Sequence, residues 1–429
     1  MKKHLFSLAV QLFFVLIINA QQPSPIHSVL STIQDSTTKS VLANPSVFRY
    51  QIIYTQINRD KNGLPHFTNY TLNADPNAYF NPASMVKMPL AFLSLEKLNE
   101  LNKLGVNRNT TIQFDSNYTR QVAMYKDASA PYEKPTIAHL IKRAILISEN
   151  DPYNRMYQFM GQGEINKKLH QKGYSSVRIT RQFMGYTEDQ NRHTNGIRFI
   201  DEKGNSVYTQ APKYNTDSFQ FGPQVLIGNA HWNSNDEVVN APFDFTKHNN
   251  ISLEDMRKML QAIVFPLSVE KQNRFHISEE DRLFLLQYLS QYPSETNYPK
   301  YDTEHFYDSY VKFFFQDSTH SMPNHIRVFN KVGWAYGFLT DVSYVLDTKN
   351  NIDFMLSATV YVNSDGVVND SKYDEATVGF PFLKQIGNAF YNYELNRKRN
   401  HQPRLKNQVT QYEKRDPQDN RPSIKEVDN

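Results

Sequence analysis

The sequence of 429 residues contains no cysteine. This absence excludes disulfide bonds, a thiol nucleophile, a thiolate metal site and lipid attachment through an N-terminal cysteine. The 13 histidines are scattered, and no His-Glu-x-x-His or His-x-His-x-Asp string is present. The sequence therefore predicts neither a metal site nor a cofactor.

Charge of one sign is also scarce. The formal net charge is +4, from 47 Lys and Arg against 43 Asp and Glu. No basic block with interleaved aromatic residues occurs, so nothing supports a nucleic-acid partner. The 26 Tyr and 28 Phe instead indicate a well-packed interior.

Long apolar runs are rare, and the one at residues 5–18 is short. Lys2 and Lys3 precede it and Asn19-Ala20 follow it, which is typical of a secretory signal over 1–20. The run is too short to span a bilayer comfortably, although a retained membrane anchor is the alternative. We expect a periplasmic or secreted monomer with no stable membrane span after signal removal.

Hydrophobic periodicity predicts both strands and helices. The strands are expected at 48–57, 67–72, 326–329, 334–346 and 352–362, and the helices at 84–101, 136–147, 252–264, 279–288 and 376–395. Residues 186–250 lack clear periodicity and are interpreted as long loops or an inserted subdomain. Residues 400–429 are polar, charged and proline-bearing, which predicts a disordered tail.

A serine and a lysine lie three residues apart where a loop meets the buried helix predicted from 84. Ser84 and Lys87 would share one helix face, and a desolvated lysine can accept the serine proton. The helix start also offers free N–H groups to an oxyanion. Four other serines also precede a lysine by three residues, and for any single such pair the alternative is a surface serine near a surface lysine. These serines are Ser36, Ser94, Ser268 and Ser309.

A second motif, Ser148-Glu149-Asn150, lies where a predicted helix ends in a turn. The hydroxyl of Ser148 could relay a proton, and the amide of Asn150 could bind a substrate carbonyl. The alternative is a helix end with ordinary turn residues.

A third motif, Lys331-Val332-Gly333, lies in a predicted strand. Lys331 could bind a substrate carboxylate, and Gly333 would let the backbone approach the substrate closely. The alternative is a solvent-exposed lysine beside a bulge glycine.

The three motifs occur in the order known for class A β-lactamases and penicillin-binding proteins, and the sequence resembles that family. Residues 80–98 (FNPASMVKMPLAFLSLEKL) are similar to the nucleophile segment, and residues 136–154 to the second-motif helix. The resemblance implies an α+β fold with a mostly antiparallel five-stranded sheet, flanking helices and a helical lobe. We expect one two-lobed catalytic domain over 21–399, with a long insertion at about 186–250.

The resemblance also implies roles for individual residues. Ser84 would be acylated and Lys87 would assist proton transfer. Ser148 would relay a proton, and Asn150 would contact the substrate amide. Lys331 would hold substrate charge together with Ser148, and the backbone N–H groups of Ser84 and Trp334 would form the oxyanion hole.

Three departures from the family pattern bear on mechanism. Glu149 replaces the usual Asp, and Val332 replaces a Thr or Ser that would donate a hydroxyl hydrogen bond to a substrate carboxylate. The Glu-x-x-Leu-Asn string that carries the deacylation base in class A enzymes is absent. Glu188 is the candidate base, and an exposed loop glutamate is the alternative.

Three functions remain open from the sequence. The first is β-lactam hydrolysis of the class A type, which would provide antibiotic resistance. The second is a penicillin-binding DD-peptidase or another acyl hydrolase on the same fold. The third is a catalytically inactive binding protein. The expected partner is a small-molecule β-lactam or a peptidoglycan peptide.

Overall fold

The computed structural model describes residues 24–403, 405 and 410–427. The predicted signal over 1–20 lies outside the described residues. Within these ranges, none of the helices combines the length and the hydropathy needed to cross a bilayer.

The β-structure consists of five long strands, which form the main sheet, and several short peripheral strands. Their bounds in chain order are β1 Gln51–Arg59, β2 Pro65–Leu72, β3 Thr111–Phe114, β4 Ile197–Ile200, β5 Ser206–Gln210, β6 Leu226–Ile227, β7 Ala230–Trp232, β8 Val238–Val239, β9 Phe243–Asp244, β10 Ile326–Ala335, β11 Phe338–Asp347, β12 Ile352–Tyr361 and β13 Val367–Val368. The main sheet has the order β10-β11-β12-β1-β2 and is antiparallel throughout. The five-stranded antiparallel sheet expected from the sequence is confirmed.

The helices cover both faces of this sheet. Their bounds are α1 Ile26–Leu30, α2 Ser36–Ala43, α3 Pro45–Phe48, α4 Lys87–Leu101, α5 Ile137–Leu146, α6 Asn150–Met160, α7 Gln162–Gln171, α8 Glu188–Arg192, α9 Leu253–Val264, α10 Glu279–Ser290 and α11 Phe380–Asn396. Short 3₁₀ turns include Ala83–Val86, which leads directly into α4, and a π-helical turn, Glu375–Gly379, precedes α11.

Two hydrophobic cores lie on opposite faces of the sheet. Along β1, Ile53 belongs to one core while Ile52 and Tyr54 belong to the other, as the alternation of side chains along a strand requires. The first core packs α4, α5, α6 and α9, and the second packs α1 and α11. Because both faces are covered, β11 and β12 are buried along their whole length.

The insertion at 186–250 forms short strands that pair with strands outside it. Its strands β4 and β5 extend a sheet that begins with β3, and its β7 pairs in parallel with β13 near the end of the domain. The absence of periodicity follows from strands of only two to five residues. The insertion is therefore tied into the domain at two separate places.

The structure differs from the predicted disordered tail at residues 410–427. The carboxylate of Glu413 accepts hydrogen bonds from the Lys142 ammonium at 2.7 Å and from the Asn297 N–H at 3.1 Å. Ile424 forms a parallel bridge with Tyr301. The charged composition that suggests a solvated tail instead supplies partners for charged and polar groups on the domain surface.

Candidate active site

Ser84 lies on the 3₁₀ turn that opens α4. Ala83 has a left-handed φ of 44°, and its N–H donates to the Asn81 side chain at 2.8 Å. The N–H of Met85 donates to the Pro82 carbonyl at 2.8 Å. These bonds fix the tight turn and leave the Ser84 hydroxyl at the floor of a cleft.

Lys87 is completely buried one turn further along, beneath Ser84. Its ammonium nitrogen lies 2.7 Å from Ser84 Oγ and 2.8 Å from Asn150 Oδ1. It also donates to the Ser148 carbonyl, and the Phe183 ring lies 5.2 Å from it. Burial, followed by the positive charge of Lys331, lowers the Lys87 pKa well below its usual value, against an opposing effect of Glu149. A neutral amine beside the serine hydroxyl is therefore accessible.

The turn between α5 and α6 brings the second motif to this lysine. Ser148 has a left-handed φ of 73°, which directs its hydroxyl toward both lysines. Its Oγ lies 3.3 Å from Lys87 Nζ and 2.8 Å from Lys331 Nζ. Burial lowers the Lys331 pKa to about 7. The structure thus brings together the four side chains that the sequence selected from three distant segments.

Gly333 allows strand β10 to lie directly against the Ser84 turn. A Cβ at this position would be 2.4 Å from the Pro82 carbonyl oxygen and 3.0 Å from Met85 Cγ. Such distances exclude any side chain without movement of the backbone. Trp334, the next residue, lines the cleft together with Ser84.

Glu149 points away from the cleft into a buried polar cluster. Arg143 donates to Glu149 Oε2 from Nε at 2.9 Å and from Nη2 at 2.5 Å. The Tyr301 hydroxyl donates to Glu149 Oε1 at 2.5 Å. Arg143 lies six residues upstream on α5, whereas Tyr301 lies 152 residues further along the chain, so no local pattern predicts the complete cluster. The cluster anchors the turn that carries Ser148 and Asn150.

The cleft above Ser84 has a volume of about 810 Å³. Its lining includes Asn150, Arg181, Phe183 and Tyr336, and one carboxyl group, Glu375, among the residues that the structure describes. Burial raises the pKa of Glu375. In the described part of the chain, no group of three or more His, Asp or Glu side chains is arranged to hold a metal ion.

Glu188, the candidate deacylation base, is absent from the described lining of the cleft and instead lines a neighbouring cavity that shares Arg181 and His248 with it. It is the first residue of α8, and its exposed carboxylate pairs with Lys247 at 2.6 Å. A capping box formed by Thr187 and Gln190 starts this helix and directs the first-turn glutamate outward. Of the predicted site residues, Glu188 is the one that the structure leaves apart.

The five-stranded antiparallel sheet, its flanking helices and the Ser84 turn define the β-lactamase-like α+β class of proteins, as the sequence predicted. Residues 41–393 match the family model described as the β-lactamase enzyme family, and the chain belongs to that family.

Several solved structures are similar to the chain at low identity. A β-lactamase from Burkholderia phymatum has 12% identity and a TM-score of 0.47, over 84% of this chain and 99% of that one. A β-lactamase from Sphaerobacter thermophilus DSM 20745 has 13% identity and a TM-score of 0.43, over 85% and 95%. A class A β-lactamase from Mycobacterium abscessus has 12% identity and a TM-score of 0.45, over 83% and 98%. No curated protein matches the sequence.

Proposed function

We propose that the protein is an exported serine hydrolase that forms an acyl-enzyme at Ser84 with β-lactams and hydrolyses it. The observation that carries the proposal is the 2.7 Å contact between the Ser84 hydroxyl and the buried Lys87 amine, whose pKa is lowered. An unprotonated lysine at this distance can remove the serine proton as the hydroxyl attacks a carbonyl carbon.

The other motif residues have positions suited to the remaining steps. The N–H groups of Ser84 and Trp334 would hold the oxyanion. Ser148, which touches both lysines, would pass a proton to the departing nitrogen. The oxygen of the Asn150 side chain accepts from Lys87, which leaves its NH₂ group for a substrate carbonyl oxygen.

A second candidate function is a penicillin-binding peptidase whose β-lactam adduct persists. The distance of Glu188 from the cleft favours this candidate, because the carboxylate expected to activate water is elsewhere. For hydrolysis of the adduct, the candidate base is Glu375, the carboxyl group among the described residues that line the cleft. Burial raises its pKa, which suits a proton acceptor.

The experiment is to incubate residues 21–429 with a chromogenic cephalosporin and benzylpenicillin, and to follow turnover and intact mass. We expect a Ser84 adduct that turns over and that Ser84→Ala abolishes. Ser94→Ala is the matched control, because Ser94 also precedes a lysine by three residues but has a buried hydroxyl with no hydrogen-bond partner. A folded wild type with neither adduct nor turnover would remove the proposal.

The same assay separates the two candidate functions. A stable adduct without turnover favours the peptidase. If turnover occurs, Glu375→Gln is expected to lengthen the lifetime of the adduct about 100-fold, because general-base catalysis accelerates a reaction by about 10²–10⁴-fold. Glu188→Gln, which changes an exposed carboxylate outside the cleft, is expected to leave the lifetime unchanged.

A further inference from the structure

A second cavity opens beside the catalytic cleft and shares two lining residues with it. This cavity, here called the side pocket, has a volume of about 550 Å³ and shares Arg181 and His248 with the cleft. Most of its remaining wall comes from the insertion, including Phe219, Phe221 and Lys247. The insertion therefore enlarges the space available to a substrate held at Ser84.

Arg181 stands where the cleft and the side pocket meet, with a fixed backbone and a free side chain. Its N–H donates to Asn249 Oδ1 at 3.0 Å, and its carbonyl accepts from the Tyr153 hydroxyl at 2.7 Å. Its guanidinium has no hydrogen-bond or ion-pair partner among the residues that the structure describes. A guanidinium that lines a cavity without an internal partner is available to bind an incoming anion.

The other charged groups of the side pocket already have partners. Lys247 pairs with Glu188 at 2.6 Å. Arg192 donates from Nη1 to the backbone carbonyls of Asn215 at 2.9 Å and Asp217 at 2.8 Å. Arg181 is therefore the cation that remains uncommitted in this part of the described structure.

Asp244 also lines the side pocket, but it forms no ion pair with Arg181 in the described structure; its carboxylate accepts from the Thr246 N–H at 2.8 Å and from the Gln224 side chain at 3.4 Å. Burial, followed by the charge of Arg181 itself, lowers the pKa of His248 to about 3, so this imidazole is uncharged at neutral pH. Phe219 and Phe221 add apolar wall without charge. The environment favours an incoming group that is negatively charged and attached to an apolar stem.

The third motif offers a weaker anion site than usual. Val332 has no hydroxyl to donate, and Lys331 already donates to Ser148 Oγ and to the Val332 carbonyl, each at 2.8 Å. A planar guanidinium, by contrast, can bind a carboxylate through two parallel hydrogen bonds.

We infer that the side pocket binds a carboxylate carried by the acyl part of the substrate, with Arg181 as its receptor. The inference rests on the proposed function, in which that acyl part is held at Ser84. It assigns the insertion a role in substrate choice, because the insertion supplies the wall that the acyl side group would contact.

The experiment compares acylation by benzylpenicillin and by its α-carboxylated analogue, which differ by one side-chain carboxylate. A depsipeptide pair with a glutaryl or a butyryl acyl group, ending in D-alanyl-D-lactate, extends the comparison from β-lactams to peptides. The variants are Arg181→Gln and the control Lys61→Gln, which removes the same charge from the β1–β2 turn at the opposite edge of the sheet from β10.

We expect the wild type and Lys61→Gln to prefer the carboxylated member of at least one pair about tenfold, and Arg181→Gln to lose that preference while retaining acylation by the neutral member. A tenfold effect is at the lower end of what a charge-assisted hydrogen bond contributes. The pair that shows the preference identifies the substrate as a β-lactam or a peptide.

Acylation with equal preference in all three proteins would overturn the inference and leave the proposed function intact. If no substrate acylates Ser84, the proposed function fails, and calorimetric titration with glutarate decides the inference alone. Binding that weakens about tenfold in Arg181→Gln but not in Lys61→Gln would then support the anion site, and binding that is equal or absent in all three would overturn it.

Discussion

Ser148 is the residue on which both buried lysines converge. Its hydroxyl lies 3.3 Å from Lys87 Nζ and 2.8 Å from Lys331 Nζ, so two ammonium groups compete for one small volume. Two lysine amines this close to one hydroxyl cannot both be protonated without a large cost in free energy, and burial adds to that cost. The proton of Lys87 is therefore coupled to the charge of Lys331.

This coupling predicts a shift in the pH dependence of acylation. In Lys331→Met the positive charge is lost, and the pKa of Lys87 should rise toward its usual value. Less neutral Lys87 is then present at a given pH, so the acid limb of the acylation rate should move to higher pH. Stopped-flow acylation by benzylpenicillin measures it, with Lys61→Met as the control. An acid limb that stays in place would argue against Lys87 as the base.

Gly333 provides a second test at the residue scale. In Gly333→Ala the new methyl group would meet the Pro82 carbonyl at 2.4 Å, which forces β10 away from the Ser84 turn. We expect a loss of about 1–3 kcal/mol in the free energy of unfolding, together with slower acylation. Gly222→Ala is the control, since nothing lies within 4 Å of its Cβ and its φ is not left-handed. Urea denaturation measures the stabilities of the two variants, and stopped-flow acylation measures their rates. Equal stabilities would contradict the close approach of β10 to the Ser84 turn.

Secondary-structure elements were predictable from the sequence where the periodic pattern of apolar side chains extends over ten or more residues. The expected strand at 352–362 corresponds to β12, Ile352–Tyr361, and the expected helix at 84–101 to the Ala83–Val86 turn and α4. The spacing of Ser84 and Lys87 fixes their common face because both lie on one continuous helical segment. The candidate base Glu188 lies outside the cleft because the Thr187–Gln190 capping box starts α8 at this point and turns the glutamate outward, where it pairs with Lys247.

The prediction of a disordered tail differs from the structure at residues 410–427 for a related reason. Local composition describes how a segment behaves in water, whereas Glu413 is stabilised by the Lys142 ammonium and the Asn297 N–H from elsewhere in the domain. The same holds for Tyr301 in the cluster with Glu149 and Arg143: Arg143 is six residues from Glu149, but Tyr301 reaches Glu149 only after the chain has folded.

The role of this segment can be tested by removing one carboxylate. Glu413→Ala leaves the ammonium of Lys142 and the N–H of Asn297 without their acceptor, and we expect a loss of about 1–3 kcal/mol in the free energy of unfolding. Glu426→Ala, at an exposed position of the same segment, is expected to change it by less than about 0.5 kcal/mol. Chemical denaturation gives both values. Equal stabilities of the two variants would show that the segment contributes little.

At the scale of the whole molecule, several ionisable groups are buried with the two cores. Burial lowers the pKa of Lys331 and of Lys312 to about 7, from 10.5. Burial has the opposite effect on the hydroxyls of Tyr153 and Tyr157, whose pKa values rise above 10. Folding therefore disfavours protonated lysine and ionised tyrosine.

These shifts predict that stability increases with pH from about 7 to about 9.5. In this interval the unfolded chain binds more protons than the folded one, because its lysines remain charged up to about pH 10.5. We expect a gain on the order of 2 kcal/mol for each of Lys331 and Lys312 between pH 7 and pH 9, followed by a decline above pH 10 as tyrosines ionise in the unfolded chain. Urea denaturation across this range measures it, and Lys331→Met should have a smaller slope. A stability that falls from pH 7 to pH 9 would contradict the buried lysines.

The bridge between Ile424 and Tyr301 has a consequence for biosynthesis. Tyr301 supports Glu149, and Ile424 lies beside Tyr301, so the backing of the second motif includes residues translated after every strand of the sheet. A nascent chain can form the Ser84 helix and the sheet while this backing is still inside the ribosome, since chains fold from the N-terminus as they emerge. Reactivity toward penicillin should therefore appear late on stalled ribosomes, only when a C-terminal extension of the chain has carried residues 410–427 out of the ribosome.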